Sequence, residues 1–300
     1  MKNINKRQKI AYILVIAIMV SAVICGGYLW REKIKIQQNQ AIFQEAQKLE
    51  NAEKYKEAIS KYEEAAVNGD PVSLVTLGNI YYYGKIVSQD HAKAVSYFKD
   101  AAKLNSAEGY KNLGVMYQSG TGTATDLKKA YDNYLKAAKL GNNEAEFNLG
   151  SMHMNGFGAK QDFKEAIKWF EKSAAQGNSN AMCQIAYIKG IGLDGSKGDM
   201  KLAIEWYEKA AELENSEAMV TLGNMYWMAY GTKQDYNKAL EWYKKAEALG
   251  SKEAVCNIGQ LYENGFGVEK NLHTAMSYYK KAADMGDPIA RGHYERLKAQ

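Results

Sequence analysis

Residues 142–177 read NNEAEFNLGSMHMNGFGAKQDFKEAIKWFEKSAAQG, and the rest of the chain repeats this unit. Aligned on Gly150, the copies place Gly78, Gly114, Ala186, Gly223 and Gly259 at successive spacings of 36, 36, 36, 37 and 36 residues, each after Leu or Ile. A second series of small residues runs in step. Ala58, Ala94, Ala130, Ala166, Ala203, Ala239 and Ala275 are each followed seven residues later by Ala or, at Ser173, by serine. Two small residues fixed in register within a period of this length mean pairs of helices packed closely, again and again. The fold class is therefore all-α, an α-solenoid of six units: 70–105, 106–141, 142–177, 178–214, 215–250 and 251–286.

Each unit carries its own punctuation. Eight residues before the glycine position stand Asp70, Ser106, Asn142, Asn178, Asn215 and Ser251, side chains that accept the first unpaired N–H groups of a helix, here helix A. Pro71 and Pro288, the chain's only prolines, follow Asp70 and Asp287 at the position where a preset φ favours helix entry. Asp90, Asp126, Asp162, Asp199, Asp235 and Asn271 stand at the equivalent position for helix B. Gly69, Gly141, Gly177, Gly250 and Gly286 mark where helix B ends in the left-handed conformation. The rings at Tyr97–Phe98, Trp169–Phe170, Trp206–Tyr207, Trp242–Tyr243 and Tyr278–Tyr279 have the spacing of a packed helix face, and we read them as core.

The flanks differ from the repeats. Residues 37–69 keep the packed spacing without the glycine signature and are expected to form an N-terminal capping helix pair. Residues 287–300 begin a helix A whose glycine position is Glu295, a C-terminal cap with a polar face. Residues 10–30 carry no charge over 21 positions, enough at ~1.5 Å per residue to cross the ~30 Å apolar core of a bilayer. We read this stretch as an uncleaved transmembrane anchor between a basic segment, 1–9, and a juxtamembrane segment, 31–36. Four basic residues precede it, and three basic with one acidic follow, so the repeats are expected outside the cytoplasm. A cleaved signal is the rival reading, but no Ala-x-Ala site stands near its end. Cys25 could suggest a lipoprotein acceptor, but Ile24 occupies a position that such signals fill with a small residue.

Charge narrows the partners. The net +5 of the 300 residues is concentrated in residues 1–35, which hold seven basic residues against Glu32, leaving 32 basic and 33 acidic residues for the rest. The repeat body has no excess positive charge with which to displace phosphate counterions, which argues against nucleic acid as its ligand. The sequence shows no catalytic grouping, cofactor site or metal set. His91, His153, His273 and His293 lie in different units with no i, i+4 pair. Gly190-Ile191-Gly192-Leu193-Asp194-Gly195 matches the dinucleotide fingerprint in letters only, since a helix rather than a strand should precede it. Cys183 and Cys256 sit at equivalent sites two repeats apart, too far for a disulfide, and are expected to be free thiols.

The residues Leu77-Gly78-x-x-Tyr81-x-x-Gly84, Asn155-Gly156-Phe157-Gly158, Asp162 to Ala166, and Trp169 to Gly177 resemble the Sel-one-like repeat (SLR) family over roughly residues 54–290. This is a branch of the tetratricopeptide-like repeats. The resemblance implies a right-handed superhelix of antiparallel helix pairs, no enzymatic activity, and work as a protein-binding module or adaptor. Bacterial members are often exported or membrane-tethered, and some are immunity proteins that neutralise secreted antibacterial lipase effectors. The expectation for this chain is accordingly a single-pass protein of the bacterial inner membrane whose repeats face the periplasm and inhibit such an effector. A scaffold subunit of an envelope signalling or assembly complex is the alternative. Where the family carries Tyr three residues after the glycine, this chain has His153 and Lys189, and the fourth unit also has Ala186 and one inserted residue.

The concave face of such a superhelix is lined by helix A. Positions one and four after the glycine series form a stripe apart from the core: Asn79 and Tyr82, Val115 and Gln118, Ser151 and Met154, Tyr187, Asn224 and Trp227, Gln260 and Glu263. From this stripe we take Asn79, Tyr82, Gln118, Met154, Tyr187, Asn224, Trp227 and Glu263 as the expected partner-binding residues. Large rings in a solvent-facing stripe have the composition of interface anchors. The competing reading is that these rings fold back on neighbouring helices.

Overall fold

The computed structural model describes residues 30–299. They form fifteen helices, with no strand among the described residues. A first compact unit ends at Asp126 and a second begins at Leu127. The first holds α1 (residues 30–51), α2 (Tyr55–Val67), α3 (Pro71–Tyr83), α4 (His91–Lys103) and α5 (Ala107–Ser119). The second holds α6 (Leu127–Lys139), α7 (Asn143–Asn155), α8 (Phe163–Ala175), α9 (Ser179–Ile191), α10 (Met200–Glu212), α11 (Ser216–Met228), α12 (Tyr236–Ala248), α13 (Lys252–Asn264), α14 (Leu272–Asp284) and α15 (Pro288–Lys298). The odd-numbered helices from α3 onward are the A helices of the repeats, and the even-numbered ones from α4 onward are the B helices.

The boundaries follow from the punctuation in the sequence. Asp70, Ser106, Asn142, Asn178, Asn215 and Ser251 each accept a hydrogen bond from the backbone N–H three residues on, as Asp287 does for α15. Each such cap stabilises its helix by about 1 kcal/mol. The B helices α4, α8, α10, α12 and α14 are capped in the same way by Asp90, Asp162, Asp199, Asp235 and Asn271. Helix α2 and four B helices run into a left-handed glycine as expected, but Asn105 and Glu214 take φ of 56° and 57° at the same place in the other two B helices. Asparagine enters this region more readily than other non-glycine residues, whereas Glu214 takes it against its preference. At the end of α11, Ala229 likewise holds φ 60° where the other complete A helices end on glycine.

Burial of the small residues builds each unit. The alanines that open the B-helix face and the small residues seven positions later are at most 1% exposed from Ala58 to Ala282. Ser173, the one hydroxyl in that series, is satisfied by donating to the carbonyl of Asn143 at 2.7 Å. Consecutive helices pack as antiparallel neighbours, α3 on α4, α7 on α8, α9 on α10, α11 on α12 and α13 on α14. The expected capping pair is present as α1 and α2, with α1 already helical at residue 30, so that it includes the stretch expected as a juxtamembrane segment. The other cap is α15. The anchor expected at 10–30 lies outside the described residues except for Trp30, and no described helix is long and apolar enough to cross a membrane.

Candidate functional site

The glycine series explains the geometry of the face that the A helices present. A Cβ at Gly78, Gly150, Gly223 or Gly259 would lie 2.3–2.8 Å from ring carbons of Phe98, Phe170, Tyr243 or Tyr279. The missing side chain is what lets a B-helix ring lie flat against the A-helix backbone. Those four rings are at most 2% exposed. Where the ring is a tyrosine, its hydroxyl emerges between A helices and needs an acceptor. Tyr243 donates to Asn224 Oδ1 at 2.6 Å and Tyr279 to Glu263 Oε2 at 2.6 Å. Burial pushes both phenols well above their usual range. Burial also favours a protonated Glu263, but the hydrogen bonds from Tyr279 and Arg296 outweigh it and hold the carboxyl below its usual value.

The fourth repeat breaks this arrangement. Ala186 places a methyl group where the other repeats have none, and Tyr207, the ring that should cover it, is only partly buried. Burial, and after it the charges of Cys183, Glu217 and Tyr187, push its hydroxyl up to about 12. Tyr187 itself is 44% exposed. It lies on one stripe of α9 with Asn180, Gln184 and Ile191, spaced as successive turns of one helix face, and Ile191 is 49% exposed. The N-terminal ends of α9 and α11 are tied by Asn215 Nδ2, which donates to Ser179 Oγ at 3.0 Å and Asn180 Oδ1 at 2.9 Å.

The other departures are locally accommodated. Lys189 pairs with Asp194 at 2.7 Å, and that contact, with hydrogen bonds from Ser196, holds the Asp194 carboxyl well below its usual range. A lysine in place of tyrosine thus clamps the loop that carries the inserted residue. His153 is buried, 3.2 Å from Tyr131 Oη through Nε2, with its Nδ1 lacking a partner. Gly190 and Ile191 belong to α9, so the stretch that spells the dinucleotide fingerprint begins inside a helix. Cys183 and Cys256 are free, their thiols pushed up by burial to about 12 and about 11.

The expected stripe divides between the units. In the first, Asn79 and Tyr82 line a cleft of about 180 Å³ with Val115, Lys111 and Asn112, whereas Gln118 is exposed and is not part of that lining. In the second, Met154 packs on the core of the third repeat, while Asn224 and Glu263 are engaged by core tyrosines. Trp227 folds back into an aromatic cluster, 5.8 Å from Phe266 and 6.3 Å from Tyr236 and Tyr243. Tyr187 alone of the five in this unit keeps a large exposed ring. The reading by position missed exposed Ile191, Met228 and Tyr230, which stand five and seven residues after the glycine position. Ile191 and Met228 stand on the last A-helix turn, where other repeats have Ser119, Asn155 and Asn264 and the first has Tyr83, also exposed, whereas Tyr230 lies two residues beyond the end of α11. Among the described residues no group of His, Cys, Asp or Glu is placed to hold a metal ion.

A family model described as the Sel1 repeat matches residues 72–106, 107–142, 143–178, 179–215, 216–251 and 252–287. Among solved structures, a Sel1 repeat protein from Oxalobacter formigenes is 32% identical with a TM-score of 0.74, covering 81% of this chain and 99% of its own. A protective antigen of uropathogenic Escherichia coli with an SLR fold is 28% identical with a TM-score of 0.69, covering 80% of this chain. This chain spans 51% of that antigen's length. An immunity protein from Pseudomonas aeruginosa matches at 16% identity and a TM-score of 0.47, covering 77% of this chain and 83% of its own, too remote to bear on what this chain binds. No protein of curated function matches.

Proposed function

From the premise that the chain belongs to the Sel1 repeat family, a protein-interaction scaffold that is generally non-enzymatic, we propose that it binds a protein partner on the A-helix face of its second unit. The observation that carries this reading is Tyr187, a ring left 44% exposed on α9, in the repeat where Ala186 replaces the usual glycine. An exposed tyrosine on a rigid helix is a suitable anchor, because it adds contact area with little loss of conformational freedom.

The more specific role we propose is that of an immunity protein, tethered through residues 10–30 to the bacterial inner membrane with its repeats outside the cytoplasm, where it occludes a secreted lipase-like effector. The uncharged 21-residue stretch and the SLR resemblance support this role. Capture of envelope and secreted proteins by the full chain, with Tyr187→Ala alongside, tests both levels. We expect a secreted hydrolase that loses activity on binding, and a loss of more than about 1 kcal/mol of binding free energy in Tyr187→Ala without loss of helicity. Recovery of resident envelope proteins alone would replace inhibition by scaffolding, and capture indifferent to Tyr187→Ala would overturn the assignment of the face.

A further inference from the structure

Within the first unit, exposed apolar side chains gather at the end where α1 begins. Helices α1 and α2 run antiparallel: Glu45 pairs with Lys61 at 3.3 Å, the rings of Phe43 and Tyr62 are 5.3 Å apart, and Lys35 Nζ lies 3.6 Å from where a Cβ on Gly69 would stand. The start of α1 therefore stands beside the end of α2 and the start of α3 at Pro71. A cleft of about 610 Å³ joins the ends of α2 and α4, with Ala66, Val67, Leu74, Tyr97, Lys103 and Leu104 in its lining. Six large apolar side chains are exposed among the described residues of this unit, and five of them, Trp30, Ile36, Val67, Val72 and Leu104, lie at that end. The sixth, Tyr83, is at the far end of α3.

Two of the five depart from the repeat pattern. Val67, 88% exposed, closes α2 where α4, α6, α10 and α14 close on Lys103, Lys139, Glu212 and Asp284. Val72 takes the second position of α3, where α5, α7, α11 and α13 carry Glu108, Glu144, Glu217 and Glu253. A glutamate there complements the helix dipole, so valine forgoes that stabilisation and leaves apolar surface in water instead. Leu104 follows the pattern, since leucine also follows α6, α10 and α12.

We infer that this end of the first unit rests on the bilayer surface, with Val67, Val72 and Leu104 in the headgroup layer and Arg31, Lys33 and Lys35 against its phosphates. This rests on the reading that residues 10–30 tether the chain. A tether that leaves the bilayer at Trp30, where α1 begins, carries the apolar end with it, because Lys35, level with Gly69, is only about 7.5 Å further along the helix axis. The headgroup layer is roughly 5–7 Å deep on each side of the apolar core, so a modest tilt of α1 seats the three side chains in it. Arg31, Lys33 and Lys35 are exposed on the first turns of α1, where anionic headgroups attract them. Valine at position 72 in place of glutamate removes a repulsion from the same headgroups and adds apolar area to the contact.

The test uses the full chain in vesicles of phosphatidylethanolamine and phosphatidylglycerol, with Cys25→Ser, Cys183→Ala and Cys256→Ala as background. A single cysteine, Val67→Cys, Leu104→Cys or Ser88→Cys, carries an environment-sensitive dye. Ser88 lies between α3 and α4, at the other end of the unit. Circular dichroism checks that each variant keeps its helices, and flotation checks that the vesicles hold it. The dyes at 67 and 104 should lose most of their emission to lipids that bear a nitroxide near the top of the acyl chain, and the dye at 88 should not. Adding Val67→Glu with Val72→Glu should restore most of the emission at 104. Quenching at 104 unchanged by that pair would mean that the tether alone holds this end close, and would overturn the inference. Chains that float but are quenched no more at 67 and 104 than at 88 would overturn it too, while leaving the tether intact. A dye shifted to shorter wavelength without quenching would assign the surface to a second copy of the chain instead of lipid. Chains that do not float would remove the tether, and the inference with it.

Discussion

Repeats 178–214 and 215–250 are neighbours built from the same punctuation, yet they treat the same tyrosine in opposite ways. In 215–250, Gly223 admits Tyr243 to complete burial and Asn224 receives its hydroxyl at 2.6 Å. In 178–214, Ala186 occupies that space, and Tyr207 is only partly buried. One methyl group thus accompanies the difference between a ring that is fully buried and one that packs on the same core yet stays partly exposed. In a repeat array one unit can leave the common packing incomplete, with neighbouring repeats supplying the stability.

The comparison can be broken most forcefully by removing both rings. Tyr243→Ala should cost about 3–5 kcal/mol in urea unfolding, as expected for a fully buried aromatic, and Tyr207→Ala distinctly less. Equal costs would mean that the two rings are packed alike after all. Next comes Gly223→Ala, whose new methyl would sit 2.3 Å from a Tyr243 ring carbon. It should destabilise by about 1–3 kcal/mol, and a neutral result would remove the steric account of Ala186.

A smaller change of opposite sign sharpens the comparison at the ends of the two A helices. Ala229 holds a left-handed φ of 60° in one repeat where Gly192 does so in the other. Ala229→Gly should raise stability by about 1 kcal/mol, read as an increase in the urea midpoint with unchanged slope. The last expected effect is absent at neutral pH and appears only under alkaline conditions. The Tyr207 hydroxyl titrates near 10 when unfolded and is pushed up to about 12 in the fold. The folded state therefore holds the proton more tightly between those values, and stability falls as pH rises through that window. Tyr207→Phe should flatten the fall between about pH 10 and pH 12, and an unaltered pH profile would show that Tyr207 is solvated like a free tyrosine.

Much of this molecule was legible from single residues. Asp70, Asn142 and Asn215 announce helix starts because a short oxygen-bearing side chain is the local solution for unpaired N–H groups, and the caps form as read. Gly141 and Gly177 announce helix ends because left-handed backbone is a local requirement, and both lie there. Glu214 and Ala229 could not be read in this way, since neither side chain favours the left-handed conformation that it takes. The stripe of candidate binding residues was legible as positions on a helix but not as exposures. Nothing local distinguishes Trp227, which turns into Phe266 and Tyr236, from Tyr187, which does not.

The sequence by itself determined the period, the helix pair in each unit, the caps and the small-residue series that brings helices together, because each follows from backbone chemistry or side-chain size within one or two turns. Only the tertiary structure decided which polar stripe residues answer core hydroxyls, as Asn224 and Glu263 do, and where an aromatic ring remains at the surface. Those outcomes depend on what a residue roughly twenty positions away, on the next helix, places against it. Packing of that kind is a property of pairs across the fold rather than of any segment.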